Sequence, residues 1–246
     1  MISEQRVVLV TGAARRIGAA IARALHADGW QLVLHFRSSA AEADQLRAEL
    51  EQQRPGSAAT VQGELNHGAD ASALADRAMG AFGRLDGLVN NASAYRSTPL
   101  GQLDDDSFQA MVGSNLLAPV QLVQATAARM EAGGAVVNLL DAQLGQGNPE
   151  FLAYSAAKAG LAQATADLAL ALAPRIRVNA VAPGHVLWAE QSQLSDAQQQ
   201  AELARVPMQR LAKVEEIAAA VSFLMSQRAS FITGAVLPVD GGLRLA

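Results

Sequence analysis

The sequence contains no cysteine, which excludes a disulfide framework and a thiolate metal site. Its four histidines, His26, His35, His67 and His185, have no zinc-ligand spacing, so no metal is expected. Charge is sparse: 17% of residues are Asp, Glu, Lys or Arg, the net charge is −4 and no basic block occurs, which argues against nucleic acid as a partner. No apolar run approaches the roughly 18 residues that cross a bilayer, so no membrane span is expected. Arg6 leads straight into the first short apolar run without a signal-peptide pattern, and a cytoplasmic protein is the default expectation. What is present is 246 residues, half of them apolar, enough for one large domain over 1–246 with a sizeable core.

Residues 7–10 form a β-branched run that leads into Thr11-Gly12-Ala13-Ala14-Arg15-Arg16-Ile17-Gly18, and 17–25 have apolar residues at helical spacing. Strand, glycine turn and helix form the phosphate-binding opening of a doubly wound fold, where N–H groups at the helix start face a pyrophosphate. A second strand, 31–36, ends in His35-Phe36-Arg37-Ser38-Ser39. An acidic residue there would suit an unphosphorylated ribose; a cation and hydroxyls suit a 2′-phosphate, so NADPH is favoured over NADH. A helix is predicted at 40–53, a strand at 59–62, and Gly63-Glu64-Leu65 follows, with an acid able to meet an adenine amino group. Ser72 is expected to cap a helix running to Phe82, and strand 85–89 closes on Asn90-Asn91-Ala92-Ser93, whose amides suit a ligand crevice.

Helices at 104–114 and 116–131 are interrupted by Asn115, which reads as a kink or a backbone hydrogen bond. Further strands are predicted at 135–140 and 177–181, a long helix at 153–173, an amphipathic helix at 214–225 and a last short strand within 231–240. The Gln- and Ser-rich stretch at about 186–207 reads as a flap over a substrate or as a surface insertion. The predicted architecture is α/β: a single Rossmann-type doubly wound parallel sheet of about seven strands with helices on both faces.

Two chemical groups stand out on the long helix. Tyr154 and Lys158 are four residues apart, one above the other on one face. An ammonium lowers a neighbouring phenol's pKa and makes it a better proton donor near neutrality. Asp141 follows an apolar run; beside the pair it would raise the phenol's pKa if ionised, or donate a proton if neutral. The small side chains of Ala156, Ala159, Gly160 and Gln163 mark a helix face that another subunit could approach.

Thr11-Gly12 and Gly18, Asn90-Asn91-Ala92, Asn115, Tyr154 and Lys158, Val178-Asn179, Pro183-Gly184 and Val239-Asp240-Gly241-Gly242, in this order, resemble the short-chain dehydrogenase/reductase family over the whole chain. Two departures, Arg16 at the usual third glycine and Asp141 at the usual catalytic serine, resemble the pteridine reductases within it. The stretches Leu25 to Trp30, Leu34-His35-Phe36, Arg54-Pro55 and Leu139 to Ala142 point the same way.

The resemblance implies NADPH-dependent reduction of dihydropterins, and by extension of oxidised pterins and dihydrofolate. It implies Asp141, Tyr154, Lys158 and Asn115 as catalytic, with Asn115 in a proton relay. It implies cofactor contacts at Gly12, Arg16, Ile17, Gly18, Glu64, Leu65, Asn91, Ala92, Ser93, Tyr154, Lys158, Pro183 and Gly184, with His35, Arg37, Ser38 and Ser39 reading the adenosine phosphate. The pterin would meet Arg16, Ser93, Tyr95, Asp141 and Tyr154, and the enzyme would be a homotetramer. Glu64 stands where the family usually has Asp, which weakens that assignment. Competing activities are a dihydromonapterin reductase, a carbonyl (3-oxoacyl thioester) reductase, and an NADP(H)-sensing binding protein that kept the fold without the reaction. An ionised Asp141 would repel the negative charge that develops on a reduced carbonyl, which disfavours the thioester.

Overall fold

The computed structural model describes residues 5–65, 68–188 and 195–246. Seven parallel strands form one sheet in the order β3-β2-β1-β4-β5-β6-β7. They are β1 (Val7–Val10), β2 (Gln31–Phe36), β3 (Ala58–Gln62), β4 (Gly87–Asn90), β5 (Gly134–Leu139), β6 (Ile176–Pro183) and β7 (Val236–Val239). The helices are α1 (Arg16–Ala27), α2 (Ala40–Gln53), α3 (Gly68–Phe82), α4 (Asp105–Val112), α5 (Ala118–Ala127), α6 (Leu152–Leu172), α7 (Asp196–Ala204) and α8 (Val214–Met225).

Alternation along the strands sorts the core into two layers. Val8 and Val10 join Leu32 and Leu34 on one face, beneath Ile21 and Leu25 of α1, Leu46 and Leu50 of α2, and Ile217 and Val221 of α8. Val7, Leu9 and Val33 point the other way, onto Leu74 of α3, Leu122 of α5 and Ala169 of α6. Because both faces are covered, the strands are apolar at most positions rather than at alternate ones. Each fully buried leucine contributes about 1.5–3 kcal/mol.

A buried polar ladder crosses the second layer. Asn90 Nδ2 donates to Asn138 Oδ1 (2.9 Å), and Asn138 Nδ2 donates to Thr165 Oγ1 (2.9 Å). Asn90 and Asn138 are register partners on β4 and β5. Asn90 is therefore turned into the core rather than toward a ligand crevice.

Four local expectations change. Ser72 lies inside α3, which starts at Gly68 with Asp70 in its first turn, where a carboxylate complements the helix dipole. Helices α4 and α5 do not separate: a π turn, Gly113–Leu117, joins them and buries Asn115 completely. Of the small face on α6, Gly160 serves its own chain, since a Cβ there would stand 2.9 Å from Leu116 Cδ2, while Ala156, Ala159 and Gln163 are exposed. The stretch at about 186–207 contains α7, whose capping box pairs Ser195 with Gln198; residues 189–194 of that expected flap lie outside the described residues.

Candidate active site

Strand order reverses between β1 and β4, and open α/β sheets hold ligands outside the carboxyl ends of the strands at such a point. The turn after β1 arrives there. Gly12 has φ +61°, and a Cβ on it would lie 3.1 Å from Ala92 Cα. A Cβ on Gly18 would press into the Gly12 carbonyl oxygen and approach Asn91 Nδ2 to 2.7 Å. Both glycines keep a concavity open that any side chain would fill. Helix α1 begins here with no side-chain cap, so the backbone and dipole of its first turn face the concavity. These features fit a dinucleotide.

Arg16 occupies a left-handed position, φ +53°, which glycine adopts without penalty and arginine at a cost of about 1–2 kcal/mol. Its Nη2 donates to the Trp188 carbonyl (3.2 Å), with the Leu187 carbonyl at 3.5 Å, so the guanidinium spans from the glycine turn to the chain beyond β6.

A clamp behind the turn uses residues expected to touch the cofactor directly. Asn91 spends both amide donors on the Thr11 and Gly12 carbonyls, at 2.9 and 3.0 Å. Thr11 Oγ1 accepts the Asn91 and Ala92 N–H groups. His35 was expected to read a phosphate, and the structure corrects this. Its ring is 2% exposed; Nδ1 accepts Gly12 N–H (3.2 Å), which leaves Nε2–H to donate to the Gly63 carbonyl (3.1 Å). Burial pushes its pKa down to about 4.

The imidazole therefore binds its proton less readily folded than unfolded. The stabilisation is complete above the ordinary pKa of 6.5 and is lost as pH falls through about 4. The full loss is about 3 kcal/mol. Urea unfolding at intervals across this window should show that slope, and His35→Gln should flatten it; equal slopes would remove His35 as its origin.

Arg37, Ser38 and Ser39 lie at the end of β2 and the start of α2, where Ser39 occupies the cap position without capping through its side chain. Arg37 and Ser38 are exposed, as is Glu64 after β3, and Leu65 is half-buried. Pro183 ends β6; its carbonyl accepts Ala142 N–H (2.9 Å), which sets the backbone beside Asp141. A Cβ on Gly184 would meet Asp240 Cα at 2.8 Å.

Asp141, Tyr154 and Lys158 converge beside this crevice. The Tyr154 hydroxyl donates to Asp141 Oδ2 (3.1 Å), and Asp141 Oδ1 accepts Gln143 N–H (2.8 Å). Lys158 is buried on the next turn of α6, and its Nζ donates to the Leu139 carbonyl (2.8 Å). Burial lowers the Lys158 pKa to about 8, against the pull of Asp141. Lys158 was expected to depress the Tyr154 pKa; among the protein groups alone the net shift runs the other way. Burial and the Asp141 charge push the phenol well above its ordinary value, since the carboxylate is bonded to it and the ammonium is 5.8 Å from its ring centre.

Asn115 is not bonded to Tyr154 or Lys158. Its Oδ1 accepts the Ser93 hydroxyl (2.6 Å), and its Nδ2 donates to the Ala94 and Met111 carbonyls (2.9 and 3.0 Å). It holds the Ser93–Ala94 segment in place. Tyr95 stacks on Phe151 with centroids 4.2 Å apart and meets the Tyr154 ring edge-on at 4.9 Å. Together with Asp141, Gln143, Leu144, Asn148 and Ser155, these rings line a cleft open to solvent. Gln143, Asn148 and Phe151 join the cleft without any motif in the sequence that marks them.

Residues 12–244 match a family described as enoyl-(acyl carrier protein) reductase. Pteridine reductase 1 of Leishmania tarentolae is 38% identical, with 97% of this chain and 96% of that protein covered. The 3-oxoacyl-acyl-carrier-protein reductase FabG of Staphylococcus aureus is 33% identical over 96% of each chain. An uncharacterized oxidoreductase of Methylorubrum extorquens is 34% identical over 98% of each. The strand order, the glycine turn, the Tyr154–Lys158 pair and these full-length likenesses place the chain in the short-chain dehydrogenase/reductase family of oxidoreductases.

Proposed function

We propose that the protein is an NADPH-dependent pterin reductase acting through one catalytic domain. The observation that carries this reading is the bond from the Tyr154 hydroxyl to Asp141 Oδ2. A carbonyl reductase needs a neutral donor at the substrate oxygen; a carboxylate there is unfavourable as the oxygen becomes negative. A ring C=N bond instead needs a proton at nitrogen, which a phenol backed by a carboxyl can deliver. The likeness to a pteridine reductase supports the same choice.

NADPH, when bound, would supply hydride to the ring carbon. The C=N π bond breaks as that carbon gains its C–H bond, and the nitrogen takes a proton from Tyr154. Solvent then restores the phenol's proton, and Asp141 Oδ2 keeps the hydroxyl oriented for the next turnover. Lys158 and the Gly12–Gly18 concavity hold the cofactor; Arg37, Ser38 and Ser39 favour its 2′-phosphate. Tyr95, backed by Phe151, covers the flat ring, a contact worth roughly 0.5–1.5 kcal/mol beyond buried area, while Arg16 and Ser93 meet its polar edge. A homotetramer in the cytoplasm belongs to the same reading. Exposed Leu117 and Leu152 near the small face of α6 suit a helix-on-helix contact. No described helix is long and apolar enough to cross a membrane.

The test is NADPH oxidation with dihydrobiopterin, dihydromonapterin, dihydrofolate and an acetoacetyl thioester, each repeated with Asp141→Ser. Pterin turnover that falls about a hundredfold in the variant is expected. Turnover of the thioester without the pterins would make this a carbonyl reductase like FabG.

A further inference from the structure

Two amides in the cleft have no part in the proton transfer. Gln143 and Asn148 both belong to the loop between β5 and α6, and both line the cleft. The loop holds them firmly: Gln143 N–H donates to Asp141 Oδ1, Gln146 N–H donates to the Gln143 carbonyl (3.0 Å), and Phe151 N–H donates to the Asn148 carbonyl (3.2 Å). Asn148 Oδ1 accepts Glu150 N–H (3.2 Å). Among the described residues, the Gln143 side-chain amide and Asn148 Nδ2 make no hydrogen bond. Among the described residues, no lysine or arginine lines the cleft and Asp141 is its one carboxylate.

Substrate chemistry says what these amides meet. In a 7,8-dihydropterin the carbon that takes hydride, C6, also carries the side chain, and the adjacent N5 takes the proton. The side chain thus leaves the ring one bond from the atom protonated by Tyr154, into the cleft that Gln143 and Asn148 line. Hydroxyls there can donate to Gln143 Oε1 and accept from both amide nitrogens; an alkyl group can do neither. A p-aminobenzoylglutamate tail would bring carboxylates to a cleft with no cation and with Asp141 already in it.

We infer that Gln143 and Asn148 set substrate specificity, selecting dihydropterins with a hydroxylated C6 side chain over those with alkyl or anionic ones. The inference rests on the pterin reading above. Amides that merely solvate the loop would leave the enzyme indifferent to the side chain.

The experiment measures kcat and KM with 6-trihydroxypropyl-dihydropterin, 6-methyl-dihydropterin and dihydrofolate. It compares the wild type with Gln143→Leu, Asn148→Leu and the double variant. Two partly exposed hydrogen bonds should give the trihydroxypropyl compound a roughly tenfold advantage in kcat/KM over the methyl compound, and more over dihydrofolate. Each single variant should lower that ratio through the KM of the trihydroxypropyl compound, and the double variant should bring it near one. Circular dichroism and NADPH titration check that the variants fold. A ratio near one in the wild type, or a ratio that survives in the double variant, overturns the inference and leaves the pterin reading standing. Failure to turn over any dihydropterin, the methyl compound included, overturns both.

Discussion

Tyr154→Phe lowers kcat for dihydropterin reduction by about a thousandfold, within the span expected for loss of a general acid, and leaves cofactor affinity nearly unchanged. Phenylalanine retains the edge-on contact with Tyr95 and the packing of α6, so the change removes one O–H and little else. The Asp141 carboxyl cannot readily substitute, because its Oδ1 is tied to Gln143 N–H and its Oδ2 faces the lost hydroxyl. Steady-state rates together with fluorescence titration of NADPH check both halves. A variant retaining a tenth of the activity would show that the proton arrives from elsewhere. The pH profile adds a second constraint. Burial and Asp141 keep the phenol protonated far above neutrality, so Tyr154 does not set the alkaline limb. Lys158, lowered to about 8, loses its charge as pH rises through that value, and the wild-type rate should decline there.

Gly18→Ala abolishes measurable cofactor binding and lowers stability by about 2–3 kcal/mol, as overpacking of a rigid site does. For a chain of this size that is roughly 5–10 °C in Tm. The added methyl collides with the Gly12 carbonyl oxygen and crowds Asn91 Nδ2, both backed by the Thr11–Asn91–His35 clamp, so neither can yield without opening the turn. Gly80→Ala is the control. A Cβ there meets nothing within 4 Å on α3, and it should raise stability slightly. Calorimetry and NADPH titration of the two variants decide the point; comparable behaviour would mean the turn is more pliant than its contacts imply.

The fold was legible because the hydrophobic pattern is nearly continuous in the strands and periodic in the helices. The predicted spans for β2, α2 and α8 coincide with those observed. What local pattern could not reveal depends on long-range contact. His35 ends a strand beside Arg37 and reads as part of a phosphate site, yet its ring is claimed by Gly12 and Gly63, 23 and 28 residues away. Asn115 reads as an interruption, but a π turn absorbs the irregularity and aims its amide at Ser93 and Ala94. The effect of Asp141 on Tyr154 was a matter of competing distances that spacing leaves open. Helix α7 was hidden by its weak apolar periodicity, although Ser195-x-x-Gln198 is a legible start signal.

The Asn90–Asn138–Thr165 ladder has a meaning for assembly of the sheet. Parallel strands that are apolar at most positions pair almost equally well when shifted, because valine against leucine differs little from leucine against valine. A slip of one residue between β4 and β5 would turn Asn138 to the opposite face and strand both amides in hydrocarbon, at about 1–3 kcal/mol for each unsatisfied group. The two asparagines thus act as a proofreading mark: only the register that sets Asn90 against Asn138 lets both amides pair.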